Sequence, residues 1–174
     1  MRDMWVRGIF FKQVLDHIKK HRGQSALDAL NMDPGSYRIE ERYDFEDFAK
    51  LLAQVEVMAG PENSDFVSSI ARDTMSDEAR WKVQFRKLDP KSVFMATERQ
   101  RTRHNLADFE TQENGSNHVV IKMSMWTDVK AYQDLWASYY KGRLEGVLKL
   151  MGRNGTVSML KGHNGEYTYE VSWN

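Results

Sequence analysis

Residues 118–152 read HVVIKMSMWTDVKAYQDLWASYYKGRLEGVLKLMG, and this stretch decides the fold class. Its first part alternates apolar and polar residues, which predicts a strand from His118 to Trp126. A long helix follows and reaches about Met151, where Gly152 ends it. The apolar stripe of this helix consists of Val129, Tyr132, Trp136, Tyr139, Tyr140, Leu144, Val147, Leu148 and Met151.

The residues after this helix form the clearest hairpin in the chain. Strands are predicted at Thr156–Leu160 and Tyr167–Trp173, and Gly162-His163-Asn164-Gly165 supplies the turn between them. Before residue 118 the apolar spacing is mainly helical. Helices are predicted at Val6–Arg22, Ser25–Leu30, Phe45–Ala59, Asp65–Leu88 with a break near Ser76, and Ser92–Asn105.

This order of elements predicts an α+β fold. We expect an N-terminal helical layer packed on a small antiparallel sheet with one long C-terminal helix. The length of 174 residues indicates a single domain over residues 1–174. Within it, residues 1–105 form a mainly helical part and residues 117–174 form the strand–helix–hairpin part.

The composition excludes several classes of function. Lys plus Arg and Asp plus Glu both number 25, so no basic surplus supports nucleic-acid binding through the phosphates. The chain has no cysteine, which excludes disulfides, thiolate metal sites and cysteine nucleophiles. No apolar run approaches the ~20 residues that span a bilayer, so we expect no membrane insertion and a cytoplasmic location.

No arrangement of residues indicates catalysis. The sequence has neither a nucleophile elbow nor a glycine-rich phosphate loop. His17 and His21 are four residues apart on a helix, but the lysines between them would repel a metal cation. We therefore expect no catalytic residue, no metal site and no cofactor, and an enzyme remains an alternative without a residue to carry it.

Two groups of residues are candidates for binding a small hydrophobic or anionic ligand. An aromatic stripe on the long helix builds either core or the wall of a pocket, and it consists of Tyr132, Trp136, Tyr139 and Tyr140. Arg99 and Arg103 are four residues apart and can clamp a phosphate or carboxylate. A solvated helix face is the alternative, and the ordinary surface residues around these two arginines favour it.

Gly142 and Gly146 lie one turn apart inside the long helix, where each costs about 1 kcal/mol against alanine. Close approach of another backbone or of a ligand would offset this cost. We expect Gly146 to lie in the core because Val147 follows it. Gly142 is expected on a more exposed turn because Lys141 and Arg143 flank it.

The C-terminal third resembles a known superfamily. The strand at 118–126, the long helix, LMGRNGTVSML at 150–160 and EYTYEVSW at 166–173 are similar to haem nitric-oxide-binding domains, vinyl-4-reductase domains and transport-particle (TRAPP) subunits. The segment VRGIFFKQVLDHIKKHRGQSAL at 6–27 resembles vinyl-4-reductase-like proteins, in particular uncharacterised deltaproteobacterial ones of similar length. The resemblance implies a pocket between the helical layer and the sheet, and dimerisation through the helices.

The haem branch of this superfamily makes specific demands on the sequence. It needs a proximal histidine on a helix and a Tyr-x-Ser-x-Arg motif that holds the propionates. The matching segment, Met123–Asp128, has neither the tyrosine nor the arginine. His104 is the one plausible proximal ligand, and it lies in a polar, arginine-rich stretch that predicts a solvated helix. Vinyl-4-reductase domains commonly carry C-terminal cysteines, which this chain lacks.

The main expectation is a non-enzymatic small-molecule-binding or sensory domain. The alternatives are an adaptor that binds a partner protein through an apolar helix face, and a haem-based gas sensor. We expect a homodimer, because the first helix carries an apolar face wider than one layer covers. The residues of this face are Val6, Ile9, Phe10, Phe11, Val14, Leu15 and Ile18.

Overall fold

The computed structural model describes residues 3–76, 84–96 and 104–174. Within these ranges the elements are β1 Trp5–Arg7, α1 Gly8–Arg22, α2 Gln24–Ala29, β2 Arg42–Asp44, α3 Phe45–Ala59, α4 Phe66–Ser76, α5 Pro90–Met95, β3 Ala107–Glu113, β4 His118–Met125, α6 Lys130–Leu150, β5 Gly155–Lys161 and β6 Glu166–Trp173. The predicted α+β class is confirmed, because N-terminal helices pack with an antiparallel sheet and one long C-terminal helix.

The main sheet has four antiparallel strands in the order β3-β4-β6-β5. In the middle of the sheet, Ile121 on β4 pairs with Thr111 on β3 and with Tyr169 on β6. Alternate residues of β4 and β6 are buried, as the strand period of two requires. The buried face of the sheet meets α6, where the Tyr169 hydroxyl donates to the Ala137 carbonyl at 3.1 Å.

The prediction of a helix from Ser92 to Asn105 is wrong for the residues that the structure describes there. The helix is α5, and it ends at Met95. His104 forms an antiparallel bridge with Val6 instead, and β3 begins at Ala107. The edge strand β3 escaped detection because ADFETQE alternates only weakly between apolar and polar residues.

A small two-stranded ribbon also includes the residues just before the first helix. β1 pairs antiparallel with β2, with Val6 opposite Tyr43, so α1 begins at Gly8 rather than at Val6. Three-residue strands are too short to show a period, and the sequence therefore did not predict this pair. The ribbon and the bridge to His104 bring the N-terminus alongside the start of the β3 segment.

The apolar face of α1 lies inside the chain. Phe10, Phe11 and Ile18 are at most 1% exposed, since α2, α3 and α4 all contact this helix. The stated reason for a homodimer, an apolar face left uncovered, is therefore wrong. The same burial means that the apolar face of α1 is not available to a partner protein, while the homodimer and the adaptor alternative stay predictions. None of the helices in the described ranges is long and apolar enough to cross a membrane.

α6 approaches α4 closely at its two glycines. A Cβ atom on Gly142 would collide with the Ser68 carbonyl oxygen, and one on Gly146 would lie 2.7 Å from that of Arg72. The core position of Gly146 is confirmed, but the exposed turn predicted at Gly142 is wrong. Both glycines accommodate the backbone of a helix, so they give no support to a pocket.

Candidate functional site

α6 places its aromatic stripe in the protein interior. Trp136, Tyr139 and Tyr140 are at most 1% exposed. The ring centroids of Trp136 and Phe10 lie 5.8 Å apart in an edge-to-face contact, which ties α6 to α1. Tyr132, one turn earlier, is only partly buried and packs against the edge of this core. The predicted anion clamp, Arg99 and Arg103, lies outside the described residues.

His104 lies among these aromatic rings. Its ring centroid is 5.1 Å from that of Trp136 and 5.7 Å from that of Phe109, so it contacts both α6 and the sheet. The residue is 1% exposed. The solvated position predicted for His104 is therefore wrong. The polarity of its sequence neighbours misled that prediction, because the bridge to Val6 fixes the backbone of His104 in the interior.

The interior keeps the His104 imidazole neutral. Burial, aided by the positive charge of Arg143, lowers the pKa of His104 from 6.5 to about 3. Neither ring nitrogen has a hydrogen-bond partner in the described parts of the chain. A neutral imidazole carries one donor and one acceptor, and burying both without partners costs free energy. Such a group requires an explanation.

Arg143 is a buried cation on the same face of α6. It follows Trp136 by seven residues and Tyr140 by three, so all three lie in one helical stripe. Its guanidinium carbon lies 4.8 Å from the centroid of the Phe10 ring, and its Nη1 donates to Gln13 Oε1 at 3.4 Å. Within residues 3–76, 84–96 and 104–174, no carboxylate pairs with Arg143, which is 7% exposed.

We name His104, Trp136, Tyr140 and Arg143 the interior polar cluster. In the described residues the Trp136 indole nitrogen and the Tyr140 hydroxyl also have no hydrogen-bond partner. Burial raises the pKa of Tyr140, and the charge of Arg143 opposes that rise. The charge of Arg143 therefore lowers the pKa of both Tyr140 and His104. The cluster therefore combines a positive charge with several buried donors. The helical spacing from Trp136 could have revealed Arg143 in the sequence.

Two surface clefts lie away from this cluster. One, of about 510 Å³, is lined by Tyr132, Trp126 and the carboxylates of Asp3, Asp44, Glu46 and Asp128. The other, of about 390 Å³, crosses the solvent face of the sheet near Lys122 and Glu166. Among the residues that the structure describes, no group of three histidine, aspartate or glutamate side chains could hold a metal ion.

A protein-family model matches nearly the whole chain. The model of the family DUF2378, described as a protein of unknown function, matches residues 2–174. The chain belongs to the DUF2378 family. Among curated proteins, none matches the sequence.

Solved structures show which fold this DUF2378 chain adopts. The Fe(II) unliganded H-NOX protein from K. algicida is 15% identical and superposes with a TM-score of 0.73, covering 97% of this chain and 96% of that one. A point mutant of T. tengcongensis H-NOX is 12% identical with a TM-score of 0.68, and 97% of each chain is covered. The chain thus has the H-NOX fold. The finer resemblance to vinyl-4-reductase domains, TRAPP subunits and deltaproteobacterial proteins stays a prediction.

Haem is the first group to test against the DUF2378 chain, because the matched H-NOX structures are of Fe(II) and haem proteins. The donor is suitable, since His104 is a neutral imidazole with both nitrogens unpartnered among the described residues. The space is not. A void large enough even for water would expose part of its walls, and His104, Trp136 and Tyr140 are 1%, 0% and 1% exposed. The residues as packed do not fit a haem.

Proposed function

We propose that this chain is a ligand-binding sensory domain that uses the H-NOX fold without haem. The observation that carries the proposal is the interior polar cluster, in which three side chains are buried without hydrogen-bond partners in the described residues. An interior that served stability alone would favour apolar side chains there, because unpartnered polar groups are costly. Of the predicted ligand residues, Trp136 and Tyr140 belong to this cluster.

The closed packing gives the proposal its physical mechanism. In the described state the ring of Trp136 packs against those of His104 and Tyr140, and all three residues are at most 1% exposed, which leaves no room for a guest between them. Their unsatisfied polar atoms raise the free energy of this closed state. A ligand that supplies partners to them stabilises a more open arrangement of helices and sheet, and so shifts the population of states. A ligand-dependent shift of this kind is what a sensory domain needs.

A haem-based gas sensor is the second candidate. His104 favours it, because a buried neutral imidazole with a ring nitrogen available is the donor that haem iron requires. The filled space around the ring and the absence of the propionate motif at Met123–Asp128 oppose it.

One experiment separates the two candidates. The purified chain is examined by absorption spectroscopy and native mass spectrometry, before and after addition of haemin, alongside the variant His104→Leu. We expect colourless protein, no Soret band that depends on His104, and a small co-purified or added ligand detected by mass. A Soret band in the wild-type chain that disappears in His104→Leu would establish the haem sensor instead.

A further inference from the structure

We infer that Arg143 anchors a binding site for a small anion that carries a carboxylate or phosphate group. The inference rests on the proposed function and names the ligand class of that site. It moves the anion clamp from Arg99 and Arg103, where the sequence suggested it, to a buried arginine on α6.

The charge balance around Arg143 carries the inference. A guanidinium has five N–H donors and is always charged, so its burial is normally accompanied by a carboxylate or another anion. Here its hydrogen-bond partner is the neutral Gln13 amide, at the long distance of 3.4 Å, and the ring of Phe10 lies against its face. In the described parts of the chain no acidic side chain compensates this charge.

The groups near Arg143 suit the same ligand. The Tyr140 hydroxyl and the Trp136 indole are buried donors without partners among the described residues, and they precede Arg143 by one and two turns on the same face of α6. His104 is close enough for the charge of Arg143 to lower its pKa. An anion bound at the guanidinium would be charge-paired and could accept further hydrogen bonds from this face.

Arg143 is also where a ligand can enter. It is 7% exposed, whereas His104, Trp136 and Tyr140 are at most 1% exposed. Gln13 is partly buried and belongs to α1, so exchange of the weak Gln13 contact for an anion would loosen the contact between α1 and α6. Binding would thereby be coupled to the packing of two elements.

The test measures thermal unfolding of the full chain in sodium phosphate and in sodium acetate, against sodium chloride at equal ionic strength. The variants are Arg143→Met, which keeps the apolar length of the side chain, and Arg153→Met, a matched control at an exposed arginine. We expect phosphate or acetate to raise the midpoint of wild type and of Arg153→Met, by about 5–10 °C at a hundredfold excess over the dissociation constant. The midpoint of Arg143→Met should not respond. In chloride alone it should equal or exceed that of wild type, because an uncompensated buried charge is gone.

The two anions distinguish the ligand classes. A response to phosphate alone assigns a phosphate group, and a response to acetate alone assigns a carboxylate. The inference is overturned if neither anion raises the midpoint of wild type above its value in chloride, or if the midpoint of Arg143→Met rises as much as that of wild type. A neutral ligand found by native mass spectrometry in both wild type and Arg143→Met would overturn it while the proposed sensory function stands. No ligand and no anion response would overturn both.

Discussion

His104 makes the stability of the whole chain depend on pH. Its pKa falls from 6.5 in the unfolded chain to about 3 in the folded one, so between these values the unfolded state binds the additional proton. The free energy of unfolding is therefore highest above pH 6.5, and it decreases as the pH falls towards 3. At about 1.4 kcal/mol per pH unit, we expect a loss of roughly 2–3 kcal/mol at about pH 4.5.

Urea unfolding at neutral pH and at about pH 4.5 measures this loss. In His104→Leu the pH dependence should be smaller by that amount, while stability at neutral pH should change by less than about 1 kcal/mol, since an unpartnered polar group is replaced by an apolar one. His163→Leu, at an exposed turn position, is the matched control and should behave like wild type. Identical pH profiles for wild type and His104→Leu would show that the imidazole is not buried.

Individual residues were the hardest feature to predict from the sequence. The sequence did predict that Gly146 lies in the core, because helix geometry fixes which positions share a face. The structure places Gly146 against the backbone of Arg72. His104 and Gly142 were misplaced for one common reason. Each was placed by its charged or polar sequence neighbours, whereas burial depends on the face of the element and on contacts distant in sequence. Only the tertiary contacts with β1 and α4 place these two residues inside.

At the scale of elements, the contact between α4 and α6 depends on both glycines. We expect Gly142→Ala and Gly146→Ala each to lower the free energy of unfolding by about 1–3 kcal/mol, because the new methyl group would collide with the α4 backbone. Gly142→Ala should lower the free energy of unfolding more than Gly146→Ala does, since its Cβ would overlap more deeply with a carbonyl oxygen. Urea melts measure both, and Ser138→Ala, on a partly exposed face of α6, is the control. A stabilised Gly142→Ala would contradict the close helix contact.

The sheet is held to α6 by a hydrogen bond to a charged group. The Tyr167 hydroxyl on β6 donates to Asp134 Oδ1 at 2.6 Å, and Lys161 on β5 also donates to this carboxylate. Burial and the neighbouring Asp134 carboxylate raise the pKa of Tyr167, so the phenol stays protonated. We expect Tyr167→Phe to reduce the unfolding free energy by about 1–2 kcal/mol. Tyr169→Phe removes a bond to a neutral carbonyl and should cost less in the same melts.

The sequence predicted the elements that are long enough to show a period. The helices corresponding to α1, α3 and α6 and the C-terminal hairpin are confirmed. The sequence did not predict β1 and β2, which have three residues each and pair across α1 and α2, or the edge strand β3, whose residues alternate only weakly. β3 matters most, since it brings Phe109 against His104 and so builds one wall of the interior polar cluster.

At the scale of the molecule, one aromatic interior joins the helices to the sheet. Phe10 of α1, Phe48 of α3 and Trp136 of α6 pack edge to face, and Tyr140 continues the contact to Tyr169 of β6. The chain thus shares the H-NOX fold with a solved structure that is 15% identical, and its own interior, among the described residues, is filled by side chains. The fold class could be predicted from the order of elements, but whether the interior is open or filled could not, because periodicity shows which face is buried and not what is packed against it.

Trp136 provides a test of this filled interior, since its ring contacts Phe10, Phe45, Phe48, His104, Tyr139 and Tyr140. Truncation to alanine should leave a cavity and lower the free energy of unfolding by about 3–5 kcal/mol, and Trp136→Leu should cost less. Because an apolar cavity accepts a guest of its own shape, added indole should raise the melting temperature of Trp136→Ala and leave wild type unchanged. Should Trp136→Ala fail to fold, the same indole titration of Trp136→Leu replaces it. If indole stabilised wild type as strongly as the variants, the interior would already hold an open pocket, and the case against haem based on its packing would fail.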